Sequence, residues 1–518
     1  MNYDERDGSR ETDGMASTKG NLEYLNIDGF LRMVGEFGKY QICLDAIFCF
    51  LIIPSSFQSL IMYFAALQPE WRCVSNSTVC TLNGTFTSQN ELRCEIPRAE
   101  WEFTQPKDYS IVTEFDIYCD KDWIIYMSTS IYFIGSLVGS MILGWIADNY
   151  GRKKLLFASF FILLLSGLFA PFMPNIGMFL VCRFLAGFFR TGLNVTMFVL
   201  ISELVGEKYR PRAGIVFWLF FTLALCIMGL TAYFIRKWKI LFITCTAPYF
   251  IGLVFYKFVP ESVRWLRLKG KVNEAIEIFE KIADWNGKEM NPNAKIARVA
   301  VAKNSTSPMD LFRTKRLALR TLLQGFAWMV NGMVYYGISL AADELGGSLY
   351  LNYVLVSIIE FPSALLAMYL CDRVGRKKTC TFSLLLAGVV TLIVGFIPTT
   401  SNELKVARVV LGILGKMFIS ICFDSIYTWS VEIHSTNIRT EGMGVMQITS
   451  RLGAASAPWI AKGVKSTHES LPFIIMGSLG LAGGISCFFL PETKGQEIQE
   501  TEEETSEMQH MNNGNRKR

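Results

Sequence analysis

The sequence predicts an all-α membrane protein of twelve transmembrane helices in two six-helix halves. Three observations carry that reading: an apolar composition, twelve apolar runs of bilayer length, and a set of charged marks that occurs twice. Of 518 residues, 51% are hydrophobic and 18% charged, against about 25% charged in a soluble domain. The runs fall at about 40–67, 123–147, 154–173, 177–202, 213–235, 239–259, 318–341, 348–371, 379–398, 404–431, 442–463 and 471–490. Each matches the roughly 20 residues needed to cross a hydrocarbon core.

Taken in order, residues 1–39 are rich in charge and read as a cytoplasmic N-terminal segment. The first run is far longer than the roughly 7–15 residues of a signal-peptide core, so it reads as an uncleaved first helix. The N-terminal bundle then occupies 40–259, interrupted by an extracellular loop at 68–122. That loop holds Cys73, Cys80, Cys94 and Cys119, with glycosylation sequons at Asn76 and Asn83. The pattern is that of a disulfide-braced, glycosylated ectodomain; four cysteines allow three pairings, and the sequence does not choose among them. Residues 260–317 form a cytoplasmic linker, where VNEAIEIFEKIADW places apolar residues at helical spacing. The C-terminal bundle fills 318–490. The tail, 491–518, is acidic and then basic without apolar periodicity, which predicts disorder.

Lysine and arginine set the orientation. Arg152-Lys153-Lys154, Lys208 to Arg212, the stretch 260–320 and Arg376-Lys377-Lys378 all fall on one side, which places both termini in the cytoplasm. The cluster Arg236-Lys237-Trp238-Lys239 falls on the other side and breaks the rule. The net charge of +5 reflects these loops and makes no case for nucleic acid. With three histidines and no Cys-x-x-Cys pair the sequence offers no metal site. It has no phosphate loop and no nucleophile elbow either, so neither an ATP-driven pump nor an enzyme is indicated, and no cofactor is called for.

The repeat is visible in WIADNYGRKK after the second helix and YLCDRVGRKK after the eighth. Arg183 with Gly187 returns as Arg408 with Gly412, Glu203 with Arg210 as Glu432 with Arg439, and Pro260-Glu261-Ser262 as Pro491-Glu492-Thr493. One GRKK loop alone would be a positive-inside anchor; its recurrence with other marks in the same order makes two homologous halves. Parallel repeats with a site between them near the membrane midplane are the architecture of one large class of secondary transporters.

With these marks the chain resembles the major facilitator superfamily. VGEFGKYQ, SIVTEFDIYCDKDW, PESVRWLRLKGK and LPETKG are similar to those of its organic cation, anion and zwitterion transporters, solute carrier family 22. The resemblance implies gating by charge pairs at the cytoplasmic rim: Asp148, Glu203, Asp372 and Glu432 against arginines that include Arg152, Arg210, Arg376 and Arg439. Such pairs are cheap to make and break as rigid halves rock, though they also suit fixed latches.

Helical spacing sorts the polar residues of the spanning runs into stripes. Helix eleven places Gln447 and Arg451 on one face and Gly453 with Ala457 on a small-residue face suited to close packing. Helix ten aligns Lys416, Ser420, Asp424 and Tyr427; helix four Arg183, Gly187, Arg190 and Asn194; helix eight Tyr353, Ser357 and Glu360; helix seven Trp328, Gly332 and Tyr335. An arginine at the centre of a membrane helix costs roughly 2.5–3.5 kcal/mol on insertion scales. Arg451 therefore either meets a solute or neutralises Asp424 or Glu360. Lys416 and Arg190 are weighed evenly between solute contact and structure, Trp328 and Tyr335 lean towards plain packing, and Arg183 and Arg408 are expected to staple backbone carbonyls.

Within the resembled family, cation-type members carry an aspartate where Arg451 stands, and anion-type and carnitine-type members an arginine. Anion-type members often add a lysine four positions after the helix-eight acid, where this chain has Ala364. The expectation is a plasma-membrane secondary transporter working by alternating access as a monomeric unit in the bilayer. Its solute would be a carboxylate-bearing, carnitine-like zwitterion, then an organic anion, then an organic cation. A coupling ion stays open. The competing class is a solute-binding receptor or sensor that moves nothing.

Overall fold

The computed structural model describes residues 18–19, 22–74, 80, 84–86, 92–291, 294–296, 308–398, 400–435, 438–464, 468 and 470–495. Among these, ten helices are long and apolar enough to cross a membrane: Lys39–Ala65, Cys119–Tyr150, Arg152–Phe172, Ile176–Leu204, Glu207–Phe234, Trp238–Lys257, Leu349–Arg373, Arg376–Phe396, Asn402–Ile433 and Leu471–Phe488. Two more, Lys315–Leu340 and Arg439–Pro458, take the seventh and eleventh places. Numbered in chain order, these are helices one to twelve. Seven and eleven fall short on hydropathy because they carry the polar groups of the interior: Gln324 and Asn331 on one, Gln447, Thr449, Ser450 and Arg451 on the other.

Those two helices pack on each other through glycines, as the small-residue face of helix eleven predicts. A Cβ on Gly453 would lie 1.9 Å from the Met329 carbonyl oxygen, and one on Gly332 would lie 2.6 Å from that of Ser450. Backbones this close leave no room for a side chain. Helix four approaches helix two in the same way, with Gly187 against the Tyr132 carbonyl. Arg183, 1% exposed, donates to the Gln58 carbonyl at 3.2 Å, and Arg408 donates to the Ile397 carbonyl at 3.2 Å, as expected of backbone staples.

On the face carrying the 68–122 loop, strand Trp71–Cys73 pairs antiparallel with Trp101–Phe103 over a small core of Trp71 and Trp101. The cysteines pair as Cys73–Cys80 and Cys94–Cys119. Asn76 and Asn83 lie outside the described residues, as does the tail beyond Gly495. The basic cluster that broke the charge rule is neutralised from this loop. Lys237 pairs with Asp108 at 2.7 Å and Lys239 with Glu114 at 2.9 Å. The hydrogen bond from Lys237 holds the Asp108 carboxyl below its ordinary range.

The opposite face carries the linker, where the N-terminal segment is built into the structure. Strand Leu22–Leu25 pairs in parallel with Ala294–Ile296, and helix Ile27–Val34 packs on helix Val272–Asn286, with the Phe30 and Phe279 rings 5.0 Å apart. The two halves meet towards the loop face. Ser130 donates to the Ala455 carbonyl at 2.6 Å, and Phe133 packs on Tyr336 with ring centroids 4.6 Å apart. Tyr63 and Phe64 of helix one, with Tyr233 of helix five, enclose Tyr350 and Tyr353 of helix eight.

Candidate functional site

Helices seven, eight and ten converge on one buried ion pair. Lys416 Nζ, on a side chain 1% exposed, stands 2.9 Å from Glu360 Oε1, donates to Ser339 Oγ at 2.9 Å and lies over the Tyr335 ring. Glu360 also accepts from the Tyr335 hydroxyl at 2.5 Å and from Thr222 Oγ1 at 3.0 Å. Thr222 belongs to helix five, so the carboxylate joins the two halves. Three donors thus engage the acid, two at Oε1 and one at Oε2, and such added hydrogen bonds are what let a buried ion pair be tolerated. Lys416 and Glu360 thus satisfy each other.

Arg451 has no acid within ion-pair range among the described residues, and its Nε is shielded without a hydrogen-bond partner. Its surroundings are phenolic, with Tyr427 and Tyr132 in electrostatic reach. Gln447, one turn before it, donates to the Tyr427 hydroxyl. Asp424 is likewise in no ion pair among the described residues and keeps an exposed side chain, with Glu360 and Tyr335 as its electrostatic neighbours. The alternative that Arg451 neutralises Asp424 or Glu360 is therefore not what this conformation shows. Two opposite charges of the interior stand unmatched.

The remaining stripe residues divide. Trp328 is fully buried and donates Nε1 to Ser430 Oγ at 2.8 Å, while its ring meets Tyr427 at 4.7 Å and Phe423 at 5.9 Å. Asn194 accepts from Ser55 Oγ at 2.7 Å. Tyr353, 1% exposed, sits in the aromatic closure at the loop face, 5.0 Å from Tyr63, with Glu360 among its electrostatic neighbours. Arg190, 3% exposed, lies 6.0 Å from the Phe221 ring.

At the linker face the duplicated marks form two equivalent latches, each inside one half. Arg152 pairs with Glu203, which accepts from Ser262. In the second half Arg376 pairs with Glu432 at 3.1 Å, and Glu432 accepts from Thr493 at 2.5 Å. Glu261 takes the backbone N–H of Arg152 at 3.0 Å and of Lys153 at 3.1 Å; Glu492 takes those of Arg376 at 3.0 Å and Lys377 at 3.3 Å. A carboxylate there satisfies orphan donors at the positive end of a helix. The glycine of each GRKK mark has positive φ, +108° at Gly151 and +106° at Gly375, and a Cβ would strike the capping carboxylate.

The other rim residues behave differently from the pairing first expected. Asp148 reaches Arg152 only at 3.7 Å and is largely exposed, while Asp372 is exposed and makes no ion pair among the described residues. Arg210 pairs with Asp28 of the N-terminal segment at 2.5 Å, and Arg439 donates to the His434 carbonyl at 3.4 Å. The acid one turn before each GRKK is exposed, and Glu261 of the linker and Glu492 just after the last helix occupy the place beside the helix start.

The model of the "Sugar (and other) transporter" family matches residues 50–504 of this chain. The chain belongs to that family. It is also 31% identical to solute carrier family 22 member 15 of Xenopus tropicalis, over 92% of this chain and 90% of the relative. It is 30% identical to the organic cation transporter protein of Drosophila melanogaster, over 93% and 94%, and 30% identical to organic anion transporter 3 of Pongo abelii, over 93% of each. The partially occluded, inward-open xylose transporter XylE of E. coli superposes with a TM-score of 0.62 at 14% identity, covering 88% of this chain and all of that one, which fixes the fold. This member of the solute carrier family 22 group of the major facilitator superfamily is thus a multi-pass secondary transporter of organic ions.

For this transporter, reasoning from sequence missed the groups that complete its charge network. Glu261, Ser262, Glu492 and Thr493 had a signal, since they were one of the repeated marks. Thr222 and Ser339 had none, because a hydroxyl in an apolar run is indistinguishable from one bonded to its own helix.

Proposed function

We propose that the chain carries carboxylate-bearing zwitterions, of the kind that join a carboxylate to an ammonium group, across the plasma membrane by alternating access, with both termini cytoplasmic. The observation that carries the reading is that, among the described residues, Arg451 and Asp424 each have no ion-pair partner while Lys416 and Glu360 pair with each other. A guanidinium fork matches a carboxylate in two parallel hydrogen bonds. An ammonium would be met by Asp424 with the faces of Phe423, Tyr427 and Tyr335, where cation–π attraction adds about 0.5–2 kcal/mol. Closure on the loop side, through the aromatic cluster around Tyr353, supports a cavity reached from the linker side. The latches lie within each half and so stiffen the two bodies that rock about the site.

The test is uptake measured beside surface expression. Arg451→Asp should abolish uptake of carboxylate-bearing solutes at normal surface level, and Arg451→Lys should restore it only in part because lysine lacks the two-pronged geometry. If the double variant with Asp424→Arg recovers uptake fully with unchanged solute preference, the two residues are structural partners and the reading fails.

A further inference from the structure

Arg190, on helix four of the N-terminal half, makes no ion pair among the described residues. It is 3% exposed; among the described residues its Nε has no hydrogen-bond partner, and the groups around its charge are phenols, Tyr132, Tyr249 and Tyr336, the last hydrogen-bonded to it, with no carboxylate among them. Neutral phenols orient a guanidinium but do not compensate it, and an uncompensated buried charge is costly. Arg451 belongs to the other half, yet it faces the same ground: Tyr132 and Tyr427 each lie within electrostatic reach of both arginines. The acids are gathered elsewhere, with Asp424 beside Tyr335 and Glu360, and Glu360 already satisfied by Lys416. Among the described residues the interior therefore presents two guanidiniums without an acid, one from each half and sharing Tyr132 and Tyr427 as neighbours, and one carboxylate without a base, Asp424, beside Tyr335.

Building on the reading above, we infer that Arg190 is a second anion-recognising residue, and that the preferred solute carries two anionic groups and one ammonium. One carboxylate meets Arg451 and the other meets Arg190, while the ammonium faces Asp424. A solute with a single carboxylate leaves one guanidinium unmatched. A solute with two also ties helix four to helix eleven, so that binding itself draws the halves together.

Two labelled probes that differ by one carboxylate decide the matter: N,N,N-trimethyl-β-alanine and N,N,N-trimethylaspartate, each measured for uptake per transporter at the cell surface. Wild type should favour trimethylaspartate. Losing a charged hydrogen bond is worth roughly tenfold in affinity, so Arg190→Gln should lower that preference about tenfold while leaving trimethyl-β-alanine uptake within a factor of two or so. Arg190→Lys should fall between, with the loss in KM rather than in maximal rate. Equal loss of both probes in Arg190→Gln, with Arg190→Lys restoring both equally, would make Arg190 a structural tether and overturn this inference alone. Wild type that takes up neither probe would overturn the parent reading and this inference with it.

Discussion

The Glu360 carboxylate accepts from Tyr335 and Thr222 and pairs with Lys416, so residues of both halves depend on one buried negative charge. Removing it leaves an ammonium in an apolar interior, and breaking a buried pair from one side costs about 3–5 kcal/mol. Glu360→Gln should therefore lower the thermal unfolding midpoint of detergent-purified protein markedly. The double variant with Lys416→Met should regain much of that loss, because no lone charge remains. Unfolding of the single variant at the wild-type temperature would show that the pair is not buried as described. The stripe holding Lys416, Asp424 and Tyr427 was legible, since spacing along one helix fixes a shared face. Which acid takes which base was not: that depends on how neighbouring helices are rotated, and Thr222 had nothing to distinguish it.

Helices seven and eleven show how much of an element's role is written in its small residues. Gly453 faces the Met329 carbonyl with no space for a methyl group, while Gly444, on the same helix, has nothing within 4 Å. Gly453→Ala should prevent surface delivery or halve it at least, and Gly444→Ala should leave delivery and uptake near wild type; surface biotinylation reads both. Similar delivery of the two would mean the helices do not touch where the backbone puts them. That small-residue face was readable from sequence. The capping of helix three by Glu261 was readable only as a repeated Pro-Glu mark, because donor and acceptor are 109 residues apart. The rim acids can now be ranked. Glu432 is held by Arg376 and Thr493, whereas Asp372 stands exposed. Glu432→Gln should cut turnover severalfold with solute preference unchanged, and Asp372→Asn should have the smaller effect; initial rates over a solute series measure it. A shift of preference in Glu432→Gln would place that residue in recognition.

Across the whole molecule, the duplicated latches make each half a body with its own linker-face brace, and contacts near the loop face hold the bodies together. The repeat in the sequence announced the halves because both copies keep the same marks in the same order. It was silent on the N-terminal segment, whose strand and helix dock on the linker through short pairings that leave no periodic signature. Against that frame of two braced bodies, the unmatched charges between them are the part of the molecule that a solute must complete. The direct test is counterflow in vesicles reconstituted with the purified protein and preloaded with carnitine-like zwitterion, dicarboxylate or quaternary amine, with and without sodium outside. The zwitterion should drive accumulation of its labelled form most strongly, the dicarboxylate less, and the quaternary amine least. Strongest counterflow with the quaternary amine would contradict the assignment of Arg451 to solute recognition, and binding of the zwitterion without any counterflow would contradict transport by alternating access.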